Sequence, residues 1–521
     1  MTNRKLLRST GVIGGATVTS RVLGFIRDIL IAGSFGTGLL ADAFFVAFRI
    51  PNMLRDMVGE GAMTAAIVPV LTEYSHTRTR EEYWQVARVI LNLMLVVLVT
   101  LSVAGIFFAP IIVRLIAPGF VADPEKFNVT VQLTRMIFPY LLLLGMVAYS
   151  KGVLNSLHYF TSPEFAPVVL NATMITALIL LCPVIGIRGL IVGVLTGGVL
   201  EVALQIKPLR TRGFRLKKDL TMRHPAAKRI GRLLLPRAMG TAVYQLSVFV
   251  DTVLASLAWI VGPGGVAALY YSNRLVQLPL AVFGISLATA ALPKMTKEVA
   301  LNDITRLKST ISFSLKAVFT LMAPAAAGLA ILSRDVIRVL FERGEFTSYS
   351  TGITSWALFF YSFGLCAYAG IKILVGVFYS MGDTKTPVKT AAVSLVVNVV
   401  LNLILMWPLK VGGLALATAV AATLNFIMLY VFLTGKIGDF GTRDILISLG
   451  KVLAATTLMG TFTFIARNVL FPAPEGFLPP VLRLASIIAG SGAIYAISCY
   501  IFHVEGAKYI IKVLKNRRFG E

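Results

Sequence analysis

About fourteen apolar runs of roughly 20 residues, separated by short polar loops, constrain this chain more than any other feature. Runs such as "LLLLGMVAYSKGVL", "MITALILLCPVIGI" and "VVNVVLNLILMWPL" show no alternation of apolar and polar residues. A membrane-spanning strand barrel needs alternating segments of roughly ten residues. The runs therefore predict helices, and the fold class is all-α polytopic membrane protein. Composition agrees: 57% of the 521 residues are hydrophobic and 14% are charged, against about 25% charged in an average soluble domain. Spans are predicted near 10–34, 41–73, 84–115, 127–156, 162–183, 186–206, 229–260, 266–295, 306–333, 349–380, 387–407, 411–434, 443–468 and 480–504. The N-terminal "MTNRKLLRSTGVIGG" resembles the start of a signal peptide. Its apolar run breaks at Arg21 with no small-x-small site to end it, so it is expected to be the retained first helix.

The net charge of +25 is distributed by topology. In a soluble protein such a charge suggests nucleic acid. Here the basic clusters lie between apolar runs and alternate with sparsely charged loops. With Arg4, Lys5 and Arg8 in the cytoplasm, the basic loops all fall on that side: Arg78 and Arg80; Lys207 to Arg232; Lys294 to Lys308; Lys385 and Lys389; Lys436 and Arg443; and the tail from Lys508 to Arg518. The opposite loops, "GTGLLA", "PGFVADPEKF", "VGPGG", "FERGEFTS" and "FPAPEGF", carry little positive charge. An even span count with both termini cytoplasmic satisfies the positive-inside rule. No nucleic-acid partner is expected.

The basic loop after the sixth span divides the first twelve spans into two sets of six. "GFIRDILIAG" (24–33) aligns with "SVFVDTVLAS" (247–256), matching Asp28 to Asp251. "AFFVAFRI" (43–50) aligns with "ALYYSNRL" (268–275), matching Arg49 to Arg274, and "TAAIVPVLTE" (64–73) resembles "TAALPKMTKE" (289–298). Such a parallel repeat predicts two six-helix lobes, related by pseudo-twofold symmetry around a central cavity, plus two C-terminal helices. The expected divisions are 1–206 for the N-lobe, 207–228 for a basic cytoplasmic linker, 229–434 for the C-lobe, and 435–521 for the last two spans and a basic tail.

Within this apolar frame, "SRVLGFIRDIL" (20–30) places Arg21, Arg27 and Asp28 inside the first span. A lipid-facing charge at mid-bilayer costs at least ~2.5–3.5 kcal/mol. At about 100° per residue, Arg21 and Asp28 lie within about 20° of each other and Arg27 about 120° from Arg21, so the three share one broad sector. In the next span Asp42, Arg49 and Asp56 recur every seven residues, with Arg55 and Glu60 beside them and Pro51 expected to bend the helix. Two readings follow. Pairs such as Arg27–Asp28 and Arg49–Asp42 tie helices together, or the group lines a watery cavity. Arginines gathered around a cavity suit a phosphate-rich ligand, because guanidinium binds phosphate through two donors and keeps its charge. The cysteines (Cys182, Cys366, Cys499) and the four histidines form no metal-ligand pattern. There is no HExxH, no P-loop and no extramembrane segment beyond about 26 residues to house a catalytic domain, so an enzyme is not expected.

The series "SRVLGFIRD", "DAFFVAFRIPNMLR", "GEGAMTAAIVPVLTEY", "YYSNRLVQLPLAVFGISLATAALP" and "GDTKTPVK" closely resembles the MurJ (MviN) family across essentially the whole chain. These are lipid II flippases of bacterial peptidoglycan synthesis within the MOP transporter superfamily. The resemblance implies movement of lipid II from the inner to the outer leaflet of the bacterial cytoplasmic membrane by alternating access. The alternative is a flippase for another polyprenyl-linked saccharide, or a MATE-like exporter. It further implies that Arg21, Arg27, Asp28, Asp42, Arg49, Arg55 and Arg274 line a cavity for the pyrophosphate and head group, and that Glu60 belongs to a gate. The Arg49 position also accepts lysine in the family. Gln277 stands where some relatives carry an acid. Sodium coupling in some members implies an ion site here at Asp251, Asn398, Asn402 and Thr418, whose oxygen donors suit a hard cation. No other cofactor is implied. The expected partners are lipid II, membrane lipids and cell-wall synthesis proteins, with the chain itself a monomer.

Overall fold

The computed structural model describes residues 3–54, 63–215, 224–470 and 479–506. Among these the regular structure is entirely helical. Two compact units emerge: residues 1–258 with Arg343–Glu345, and residues 259–342 with 346–521.

The first unit holds α1 (Asn3–Phe35), α2 (Leu39–Leu54), α3 (Met63–Thr77), α4 (Arg80–Phe107), α5 (Ala109–Ile116), α6 (Pro124–Ile137), α7 (Tyr140–Ser156), α8 (Thr161–Leu180), α9 (Cys182–Ile185), α10 (Ile187–Thr211) and α11 (Pro225–Ala255). After the short α12 (Ala258–Val261), the second unit holds α13 (Gly265–Pro279), α14 (Ser286–Ala300), α15 (Ile304–Ile331), α16 (Ser333–Phe341), α17 (Ser348–Ser362), α18 (Leu365–Ser380), α19 (Lys385–Leu409), α20 (Val411–Ile437), α21 (Thr442–Leu470) and α22 (Pro480–Ile501).

Ten helical segments among the described residues are long and apolar enough to cross a membrane, or eleven when α17 and α18, bent by 47° at their junction, count as one. The other three predicted spans fall on α1, on α2 with α3, and on α11. This arrangement is compatible with fourteen crossings. The repeat in the sequence is visible in element lengths. α4 and α15 are both 28 residues long, and each is followed by a short helix, α5 or α16. The α8–α10 pair recurs as α19–α20, and each pair packs extensively. α11 packs on α3, α4 and α5 and so groups with the first unit.

Close helix packing in lipid depends on small residues and on polar groups satisfied internally. Gly193 and Gly197 on α10 form a GxxxG pair against α8. A Cβ at Gly193 would lie 2.5 Å from the Ala177 Cβ, and one at Gly197 would lie 2.4 Å from Thr173 Oγ1. Hydroxyls inside spans donate back to carbonyls one turn earlier, as from Thr134 to Thr130 (2.7 Å), Ser272 to Ala268 (2.7 Å) and Ser362 to Leu358 (2.7 Å). The last two spans dock on the second unit through an apolar cluster of Ala323, Val452, Ala455, Cys499 and Val504. Arg467–Asp335 (2.6 Å) and Lys316–Glu505 (2.9 Å) add ion pairs at the periphery.

In "GDTKTPVK" the Asp383 carboxylate caps the start of α19. It accepts from the N–H groups of Lys385 and Thr386 (3.0 Å each) and from the Thr386 hydroxyl (2.6 Å), and it pairs with Lys436 at the end of α20. The lysine first, then the threonine hydroxyl and N–H, hold this carboxyl well below the usual carboxylate range.

Candidate functional site

α1 presents its charges at different depths. Arg21 is exposed, whereas Arg27 is 9% exposed and Asp28 is fully buried. The single charged wall expected from helical angles is thus divided, with an open arginine one or two turns from a sealed pair. Successive residues on a helix do not normally face each other. Here the Arg27 side chain turns back, so that Nε and Nη2 both donate to Asp28 Oδ1, at 3.0 and 2.7 Å. Nη1 donates to Asn171 Oδ1 on α8 at 3.0 Å and lies 3.8 Å from Met174 Sδ. Asn171 is itself oriented, because its Nδ2 donates to the Ser20 carbonyl (3.1 Å) and hydroxyl (3.3 Å) on α1. The amide therefore presents its oxygen to the guanidinium. Asn171 was missed in the sequence, where the signal is a lone amide in the apolar "VVLNATMI".

Asp42 on α2 is also buried, at 1% exposure, and its Oδ2 accepts from Lys126 Nζ on α6 at 2.6 Å. Lys126 is 8% exposed and lies 4.1 Å from the centre of the Phe120 ring, where the ring's negative face attracts the ammonium. The sequence reading offered Arg49 as the partner of Asp42 and passed over Lys126 because it sits in a predicted loop. Arg49 is half-buried further along α2. Arg55 and Glu60 lie outside the described residues, as does Asp56. Arg274 on α13 and Asp251 on α11 are both half-buried. Further charges inside spans were missed, among them Glu201, buried on α10, Arg483, buried on α22, and Lys372 on α18.

The second unit gathers three of the four residues offered for a cation. Asn402 Nδ2 donates to Asn398 Oδ1 (3.1 Å), Asn398 Nδ2 donates to Thr418 Oγ1 (3.3 Å), and the threonine hydroxyl donates to the Leu414 carbonyl (3.0 Å). Amide and hydroxyl oxygens are hard donors that suit a small cation. All three are neutral, and the carboxylate of the set, Asp251, belongs to the first unit. Among the described residues no three His, Cys, Asp or Glu side chains cluster as metal ligands do.

Chemically, Arg27 and Asp28 form a guanidinium held in a low-dielectric setting with a resident carboxylate. Such a cation can exchange that carboxylate for a phosphate with the same planar, two-donor geometry. The family model described as "Lipid II flippase MurJ" matches residues 31–475. The chain belongs to the MurJ family. A probable lipid II flippase MurJ of Rhizobium meliloti is 34% identical over 502 residues, covering 94% of this chain and 92% of that protein. A solved structure of the lipid II flippase MurJ in an inward closed conformation is 27% identical, with a TM-score of 0.81 over 94% of this chain and 98% of that one. An inward-facing MATE transporter of the MOP superfamily shares the fold, with a TM-score of 0.68 over 80% of this chain and 94% of that one, at 16% identity. As a member of the MurJ family with these many apolar helices, the chain is a multi-pass membrane protein.

Proposed function

We propose that this chain flips lipid II from the inner to the outer leaflet of the bacterial cytoplasmic membrane by alternating access, with both termini cytoplasmic. What supports the reading is membership of the MurJ family together with one observation: a buried arginine, Arg27, that donates to a carboxylate oxygen of Asp28 and to the oriented amide of Asn171. Arg27 exchanges Asp28 for the pyrophosphate of the lipid when the head group enters. Asp28 takes the guanidinium back when the head group leaves, so the arginine stays compensated through the cycle. Arg21, Arg49, Arg55 and Arg274 supply further positive charge along the route, Asp42 is held ready by Lys126, and Glu60 takes part in gating. An inside-negative potential drives an anionic head group outward with ~2.3 kcal/mol per charge per 100 mV. A sodium ion held by Asp251, Asn398, Asn402 and Thr418 would supply coupling to its own gradient. The test is replacement of Arg27 or Arg274 by Ala in a strain whose wall synthesis depends on this protein. Each variant, expressed at the normal level, should fail to support growth. Growth with both changes present refutes the arginine route.

A further inference from the structure

The first turns of α15, the turn between α20 and α21, and the residues just after α22 enclose a cavity of about 640 Å³ within the second unit. Pockets of that size commonly hold small ligands. Some of its charges are already committed. Lys316 Nζ pairs with Glu505 Oε2 at 2.9 Å. Asp439 caps α21, its Oδ1 accepting from the Thr442 N–H at 3.1 Å. Lys308 and Asp444 also line the cavity. Among the described residues neither of these two side chains forms a hydrogen bond or an ion pair, with the other or with any third group.

The two charged heads stand at opposite ends of the α20–α21 turn. A Cβ on Gly438 would lie 3.0 Å from Nζ of the half-buried Lys308. One on Gly441 would lie 3.8 Å from Oδ2 of the exposed Asp444, and 3.4 Å from Ser312 Oγ on α15. An ammonium and a carboxylate that share a cavity without pairing suit a ligand that carries both opposite charges. Its anion meets Lys308, with the hydroxyls of Ser309 and Ser312 on the same wall as further donors. Its cation meets Asp444. A simple anion would also face Asp439 and Asp444, and a simple cation would face Lys308, so a zwitterion is the better match. The cavity follows α15 from Thr305 to Lys316, roughly 16 Å, and α15 is long and apolar enough to cross a membrane. Phe313 lines the cavity and is 37% exposed, so the polar end gives way to an apolar edge along the span.

We propose that this cavity holds the head group of a bilayer phospholipid of the phosphatidylethanolamine class, with its phosphate at Lys308, its ammonium at Asp444 and its acyl chains leaving past Phe313. The charge pattern places this end of α15 on the cytoplasmic side, so the lipid comes from the inner leaflet. The primary ammonium donates to the carboxylate and the lysine donates to the phosphate, two charge-assisted hydrogen bonds of opposite sense. A head group bound there bridges α15 and α21. The assignment does not depend on which lipid is transported.

The test titrates the purified full-length protein with short-chain phosphatidylethanolamine and, separately, phosphatidylglycerol, with binding read by native mass spectrometry. Each variant is first checked for an unchanged melting profile. Wild type should bind phosphatidylethanolamine at least about fivefold more tightly than phosphatidylglycerol. Lys308→Gln should weaken both lipids about tenfold, the pattern of one lost charge-assisted contact to phosphate. Asp444→Asn should weaken phosphatidylethanolamine about tenfold and leave phosphatidylglycerol as tight or tighter, so that the preference inverts. Equal binding of the two lipids by wild type, or a preference that survives Asp444→Asn, overturns the proposal. Phosphoethanolamine without acyl chains binding as tightly as the lipid assigns the cavity to a soluble zwitterion and overturns it too. So does lipid binding that appears only when Lys508, Lys512 and Lys515 are replaced by Gln, since the tail itself then fills the cavity.

Discussion

Replacing Asp28 by Asn removes one charge from a sealed pair and keeps its shape. Arg27 then retains its bond to Asn171 (3.0 Å) but loses the ionic acceptor for both Nε and Nη2. With Arg27 only 9% exposed, water cannot make up the loss without opening the α1–α8 contact. Breaking a buried ion pair by removing one partner costs about 3–5 kcal/mol, whereas removing both charges together is close to neutral or stabilising. Asp28→Asn should therefore destabilise the protein by about 3–5 kcal/mol, and Arg27→Met combined with Asp28→Asn should recover most of that loss. The assay is equilibrium unfolding in mixed micelles, read by tryptophan fluorescence for wild type, both single variants and the double. If Asp28→Asn stays within about 0.5 kcal/mol of wild type, or the double variant is no better than the single, the pair is not sealed and coupled as described.

Lys126→Met removes the buried ammonium paired with Asp42. It should lower stability by about 3–5 kcal/mol in the same unfolding assay, with recovery when Asp42→Asn is added. Gly197→Val forces side-chain atoms into Thr173 and Leu170 and should sharply reduce the folded yield on size-exclusion chromatography. Gly231→Ala, which meets no atom within 4 Å, should leave that yield unchanged. The Asp383 cap gives a pH dependence. Its carboxyl titrates lower when folded than when unfolded, so its contribution is complete above the unfolded value of about 3.9 and is lost as pH falls through the folded value. Amide exchange at Lys385 and Thr386, corrected for intrinsic rate, should rise on acidification below about pH 4. Asp383→Asn should show that fast exchange already at neutral pH.

The apolar runs made the helices legible, because a backbone in lipid must satisfy its hydrogen bonds within each span. The breaks inside them were not. The predicted span 127–156 is divided at Phe138–Pro139, and 349–380 bends by 47° around Phe363–Gly364. Long apolar stretches with mixed periodicity do not announce where they bend. Helical spacing brought Arg21, Arg27 and Asp28 to one side of α1, but it could not tell which would be sealed, since that depends on Asn171, 144 residues away. Lys126 was hidden for the same reason, because its partner Asp42 lies 84 residues earlier. Lys372 carried a local signal, a lysine amid isoleucine and leucine, that could have been read from the sequence. The basic linker was visible by charge, yet α10 extends into it to Thr211 and α11 begins at Pro225. A helix rich in arginine and lysine continues as readily as an apolar one, because both side chains favour helix.

The most direct measurement is the rate at which lipid II, placed in the inner leaflet of sealed vesicles, becomes accessible outside when this protein is reconstituted. The account predicts protein-dependent transfer, faster with an inside-negative potential and abolished by Arg27→Ala or Arg274→Ala. Transfer no faster than in protein-free vesicles, or transfer undiminished by both substitutions, would contradict it.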